Sequence, residues 1–229
     1  MDNYILRKQT KKIKVGDIFI GGDSPISVQS MTNTDTRDSK ATVEQIKRLE
    51  EEGCDLVRVA VPDSQAAEAV REIRKAIKIP LVADIHFDYR LALECIRNGA
   101  DKIRLNPGNI GGQDRVKLVA DMARERQIPI RIGVNSGSVE KSILEKYGGV
   151  TPEGMVESAL NHAAMLEAAN FGDIAISIKA SSVPMTIAAY RLLSQKTSYP
   201  LHIGVTEAGT VYKGTIKSAV GIGCLLAEG

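Results

Sequence analysis

Arg104 and Asn106 stand two residues apart in the stretch KIRLNPGNIGG, residues 102–112. Ile103 and Leu105 alternate with them, the period-2 pattern of a strand whose two faces meet different surroundings. Strands of a parallel sheet are usually covered on both faces and read as nearly continuous apolar runs. A guanidinium and an amide at the end of one therefore need a reason. The same exception recurs along the chain. Gln29 and Ser30 end ISVQS, and Arg58 lies in LVRVAV. Asp84 and His86 end PLVADIH, Arg131 and Asn135 lie in IRIGVN, Lys179 is near the end of IAISIKA, and Thr206 and Glu207 are near the end of LHIGVTEA. Taken singly, each has an ordinary explanation as a snorkelling or salt-bridged cation or a hydrogen-bonded core histidine. Together, four cations (Arg58, Arg104, Arg131, Lys179) face two carboxylates (Asp84, Glu207), an excess that calls for an anionic ligand. Arginine forks match phosphate oxygens in pairs and lysine adds a point charge. A diphosphate suits three or four such groups better than a single carboxylate does.

For these strand ends to meet, the elements must curl them around one mouth. After a segment IKVGDIFIGG that reads as a small hairpin, apolar runs alternate with stretches of helical periodicity. Val43, Ile46 and Leu49 fall three apart before Gly53; Leu91, Leu93 and Ile96 precede Gly99; Thr151-Pro152 supplies an N-cap and a first-turn proline. Seven strand–helix units imply right-handed crossovers and fit a TIM (β/α)8-type barrel better than a doubly wound sheet. The turn SMTNTDTRDS after the first strand lacks the G-x-G-x-x-G that an open dinucleotide-binding sheet would show there. The expectation is one barrel domain over residues 1–229, with a hairpin segment at 1–24 and no eighth strand after CLLAEG. Barrel enzymes build their sites at the C-terminal ends of the strands. Gly108, Gly111 and Gly112 would let backbone approach a ligand there. The long connection from Asn135 to Thr151 reads as a partial lid.

Composition narrows the classes. With 30 Lys and Arg against 28 Asp and Glu, the net charge of +2 argues against a dedicated nucleic-acid binder. No apolar run reaches the length of a membrane span, and Met1-Asp2-Asn3 does not open a secretory signal, so a cytoplasmic location is expected. Cys54, Cys95 and Cys224 are far apart and form no Cys-x-x-Cys pair, which favours buried reduced thiols over metal ligands.

VQSMTNTDT, ADIHFD, KIRLNPGNIG, RIGVNSGS, SIKAS and the run TEAG…KGTIKSAVGIGCLLAEG, in this order over the whole chain, closely resemble the N-terminal domain of the 4-hydroxy-3-methylbut-2-enyl diphosphate synthase family. The resemblance implies a barrel that opens 2-C-methyl-erythritol 2,4-cyclodiphosphate by two-electron reduction and loss of water. Electrons would come from flavodoxin or ferredoxin. It further implies that Arg58, Arg104, Arg131 and Lys179 grip the diphosphate, and that Asp84, His86, Asn106, Asn135 and Thr206 line the pocket. Glu207 is implied as the acid/base near the ring. Family members continue into a C-terminal domain whose three Cys and one Glu hold a 4Fe–4S cluster, placed over the partner's barrel in a homodimer. The three cysteines here do not match that motif, so no metal ligand is expected in this chain and it should be inactive alone. Two other readings stay open: a barrel of the dihydropteroate synthase type, and a non-catalytic phosphometabolite-binding domain.

Overall fold

The computed structural model describes residues 5–229; Met1–Asn3, read above for a signal sequence, lies outside the described residues. Two short strands, β1 (Ile13–Val15) and β2 (Ile18–Ile20), pair antiparallel across a turn where Gly16 adopts φ 55°. Ile13 and Val15 are buried and Lys14 between them is exposed, as a two-faced strand requires. Val15 packs with Leu56 and Val82, residues at the starts of later strands, so the hairpin covers the N-terminal end of the sheet. Just before it, the Lys11 amide donates to the Ser198 carbonyl at 2.7 Å and the Lys11 ammonium pairs with Asp173 at 2.9 Å. Residues 11–20 thus form a strap across that end.

The main sheet holds β3 (Gln29–Met31), β4 (Leu56–Ala60), β5 (Leu81–Asp84), β6 (Lys102–Leu105), β7 (Ile130–Asn135) and β8 (Ile174–Lys179). All pair in parallel and in chain order, with no reversal of the kind that defines a doubly wound sheet. The connecting helices are α1 (Ser39–Glu51), α2 (Ser64–Ala76), α3 (Tyr89–Arg97), α4 (Gln113–Glu125), α5 (Lys141–Tyr147), α6 (Pro152–Glu167) and α7 (Val183–Lys196); α8 (Val211–Ala227) follows. Val57, Ala83, Ile103, Leu105, Ile132 and Ile176 share one core with Val70, Ile73, Val116, Val119 and Leu166 of the helices. One face of β4 to β8 is therefore sealed by helices, and the alternate residues turn inward on a curled half-barrel, with the half-exposed β3 at its edge. Helix ends follow the expected signals. Thr151 caps α6 by accepting from the Gly154 amide, and Gly53 and Gly99 take left-handed φ just past α1 and α3.

Two expectations about strands fail. LHIGVTEA was expected as a seventh strand, but it makes a single bridge, Leu201 to Ile176, and the sheet has six strands. The reason lies at Tyr190, whose hydroxyl accepts from the Ile178 amide at 3.2 Å and so takes the donor that the next ladder bond would use. The ladder cannot continue past that side chain. Beyond the backbone bonds of the bridge, the segment is held by the same hydroxyl, which donates to the His202 carbonyl at 2.5 Å, and by the Thr206 amide on the Ala180 carbonyl at 3.3 Å. The first strand is also shorter than ISVQS: Ile26 and Val28 are exposed, and the Val28 amide bonds the Asp55 carboxylate rather than a ladder partner. Nor is Asn135–Thr151 a lid. It forms a 3₁₀ turn at Ser136–Ser138 and then α5, which docks beside α6 with the Tyr147 hydroxyl on Glu157.

Candidate active site

The inward residues at the C-terminal strand ends enclose a cavity of about 350 Å³. Arg58, Asp84, His86, Arg104, Arg131, Asn135, Lys179 and Thr206 line it, with Met31, Ala60, Ser177 and Val205. Eight side chains singled out from six separate runs of sequence are thereby brought together. A larger depression outside α2 and α3 is lined by Arg37, Glu68, Arg71, Glu72 and Arg97, surface charges of mixed sign that need no ligand.

Asp84 organises the cavity. Its side chain is 4% exposed and accepts from Arg104 Nη1 at 3.0 Å, with His86 Nε2 at 3.4 Å and Arg58 Nε at 3.6 Å. Burial alone would raise its pKa. The His86 hydrogen bond and the Arg104 and Arg58 charges outweigh this and hold the carboxyl well below the usual range. Asp84 is a fixed anion that orients guanidinium groups, not a proton donor. Arg104 also donates through Nη2 to the Gly133 carbonyl at 2.8 Å. Gly133 permits this approach, because a Cβ there would lie 2.4 Å from Arg104 Nε.

The remaining cations are less well satisfied. Arg131 is 1% exposed; its Nη1 donates to Ser177 Oγ at 2.8 Å, while Nε and Nη2 are buried without a partner among the described residues. Arg58 points Nη2 at the Met31 sulfur at 2.8 Å, a weak acceptor. Lys179 is pulled down to about 7 by burial and by Arg131, Arg58 and Arg104. Burial and its neighbours lower Arg131 too, but a guanidinium starts so high that it stays charged at neutral pH. Unpaired buried donors are costly in a free protein. An anion with several acceptor oxygens is the chemistry that would satisfy them.

Two expected site residues do not reach the cavity. Asn106 is buried, and its Oδ1 accepts from the Gly133 amide at 3.0 Å, extending the β6–β7 ladder with a side chain. Glu207 is exposed, in left-handed backbone with φ 49°, one residue beyond Thr206. Gly108 also has another reason than ligand approach, since a Cβ there would lie 2.7 Å from His162 Nε2. Conversely, Lys102 was overlooked. It is 2% exposed on the inner face of β6, and its place two residues before Arg104 was the available signal.

Fold and site define a class: a (β/α) barrel, helices outside, with a mouth rich in buried cations. The family profile described as the GcpE TIM-barrel domain matches residues 10–229, and the chain belongs to that family. It is 80% identical over 229 residues to the 4-hydroxy-3-methylbut-2-en-1-yl diphosphate synthase (flavodoxin) of Ruminiclostridium cellulolyticum, covering 100% of this chain and 65% of that one. It is 65% identical to the protein of that name from Caldanaerobacter subterraneus, covering 98% and 63%. The chain thus spans a little under two thirds of these relatives. Among solved structures, it resembles the type I 3-dehydroquinate dehydratase of Clostridium difficile (TM-score 0.65, 15% identity, 91% and 84% of the two chains). It also resembles the dihydropteroate synthase of Yersinia pestis (TM-score 0.56, 9% identity, 93% and 98%). At such identities the likeness is one of fold alone. The family match favours the first reading above over a dihydropteroate-synthase-like one.

Proposed function

We propose that this chain is the substrate-binding barrel of a 4-hydroxy-3-methylbut-2-enyl diphosphate synthase, taking 2-C-methyl-erythritol 2,4-cyclodiphosphate into its mouth. The observation that carries the reading is the buried Arg131 guanidinium, whose Nε and Nη2 lack partners in a cavity shared with Arg58, Arg104 and Lys179. Arg58, Arg104 and Arg131 bind the diphosphate as forks and Lys179 as a point charge. Asp84 holds two of the forks in place. His86, Asn135 and Thr206 face the rest of the ring, and Glu207 stands at the rim rather than in the cavity.

The reaction is a reduction, and a 4Fe–4S cluster would supply its electrons. The residues here do not fit that group. Among the described residues no three His, Cys, Asp or Glu side chains converge on a metal position. Cys54 donates to the Leu56 carbonyl, and burial pushes the Cys95 thiol up to about 12, far from a ready thiolate. The chain's share of the proposed chemistry is to bind and orient the substrate, and alone it does not reduce it. A flavodoxin-type donor, a cytoplasmic location and a homodimer of the longer protein belong to the same proposal. Calorimetric titration with the cyclic diphosphate tests it. Wild type should bind, and Arg104→Ala should bind about ten- to a hundredfold more weakly, the effect of losing one charged contact of roughly 1.5–3 kcal/mol. Equal affinity of the two would show that Arg104 only supports the sheet.

A further inference from the structure

Lys102 lies deeper than any of the groups just assigned. The register places it opposite Val82, while the next inward residue of its strand, Arg104, stands opposite Arg131. It is 2% exposed. Arg131 on β7 and Arg58 on β4 act on its charge and it acts on His202 beside β8, while Arg104 on its own strand, Asp84 on β5 and Lys179 on β8 lie further along toward the mouth. Asp84, the one carboxylate in this set, is already shared by Arg104, Arg58 and His86. Five cationic side chains thus share this interior with a single buried carboxylate.

Guanidinium groups do not release protons under these conditions, but buried amines do. Relief of the repulsion in the free protein therefore falls to the two lysines. Burial, then Arg131 and Arg58, bring Lys102 down to about 7, as they do Lys179. A polyanion at the mouth reverses the balance, because its charge favours the ammonium form of both.

We propose that Lys102 is a proton-accepting residue beneath the anion site, and that a polyvalent anion binds with uptake of a proton from solvent onto its Nζ. The cationic interior beneath the cavity is then fully charged only when ligand is present. This rests on the reading that the cavity takes a diphosphate, and it adds that affinity must fall as pH rises above neutrality. Lys102 acts through the charge it presents to the arginines and is a positioning residue.

The test is titration calorimetry of inorganic diphosphate into the full chain at pH 8, in two buffers of different ionisation heat, which yields protons taken up per ligand bound. Wild type should take up about one proton more than Lys102→Met, since the amine is mostly neutral at that pH when free. The ligand's own protonation cancels between the two proteins. Lys102→Arg, which keeps its proton, should lose the same uptake, an outcome that a purely structural role would not produce. Equal uptake in wild type and either variant overturns the proposal while leaving the diphosphate reading intact. Failure of wild type to bind diphosphate at all overturns both.

Discussion

Arg131 shows most sharply how a residue can serve ligand binding at the expense of stability. Its guanidinium is buried with two nitrogens unpartnered, and replacing such a group by an apolar one of similar length commonly stabilises. Arg131→Met is expected to raise thermal stability by about 1 kcal/mol or more while weakening diphosphate binding at least tenfold. Thermal melts alongside calorimetry check both signs, and a variant that loses stability would show that Arg131 is a structural strut. The buried bases shape the pH profile. His202 is held well below its ordinary value by burial and by the charges of Arg131, Lys179, Lys102 and Arg58. As pH falls through about 6.5 the unfolded chain takes a proton there and the folded one does not, so stability drops. Lys102, near 7 when folded and 10.5 when unfolded, works the same way higher up. Stability should climb between those values, and Lys102→Met should flatten the climb by up to about 1.4 kcal/mol per pH unit. Denaturant midpoints from pH 6 to 10 would expose a wrong sign at once. Most of these residues were legible as inward exceptions to an apolar pattern. Glu207 was misplaced because alternation does not survive the end of a strand, and there the chain turns into left-handed backbone.

At the scale of elements, the sequence showed the helices more clearly than the strand ends. Periodicity, the Thr151 cap and the glycines after α1 and α3 are local signals, and they held. The seventh segment failed because its fate depends on a contact made only in the fold, the Tyr190 hydroxyl set between the Ile178 amide and the His202 carbonyl. Such a segment, bonded on one side through a few contacts, should behave unlike the strands beside it. Amides of 203–205 should exchange with solvent far faster than those of β7 and β8, and diphosphate should slow them, because Thr206 and Val205 line the cavity. Protection equal to that of β8 in the free protein would mean that a ladder forms after all. Gly133 belongs here too. Gly133→Ala should displace Arg104 and weaken binding about tenfold or more, with loss of about 1–3 kcal/mol of stability from overpacking; unchanged binding would show that the guanidinium can move aside.

For the molecule as a whole, the parallel ring is open between β3 and the segment beside β8, and α8 presents exposed Val211, Tyr212, Ile216 and Val220. Unpaired edges and apolar faces of this kind favour association. The chain should sediment as a concentration-dependent mixture, shifting toward monomer when Val211 and Ile216 are both changed to Ser. Iron offers a second whole-molecule check. Reconstituted with iron and sulfide under anaerobic conditions, the 229 residues should bind no stoichiometric cluster; a 4Fe–4S absorption band would mean that the cysteines were misread. One further consequence concerns the order of events in folding. Each strand of the sheet contacts its neighbour in sequence, so the units can dock one after another over short loops. The N-terminal strap is the exception, since Lys11 reaches Gly172, 161 positions away, and that loop can close only after the intervening units are in place. Contacts formed after the rate-limiting barrier govern how long the native state lasts and leave its rate of formation nearly untouched. Lys11→Met should therefore raise the unfolding limb of the chevron while its refolding limb overlays that of the wild type.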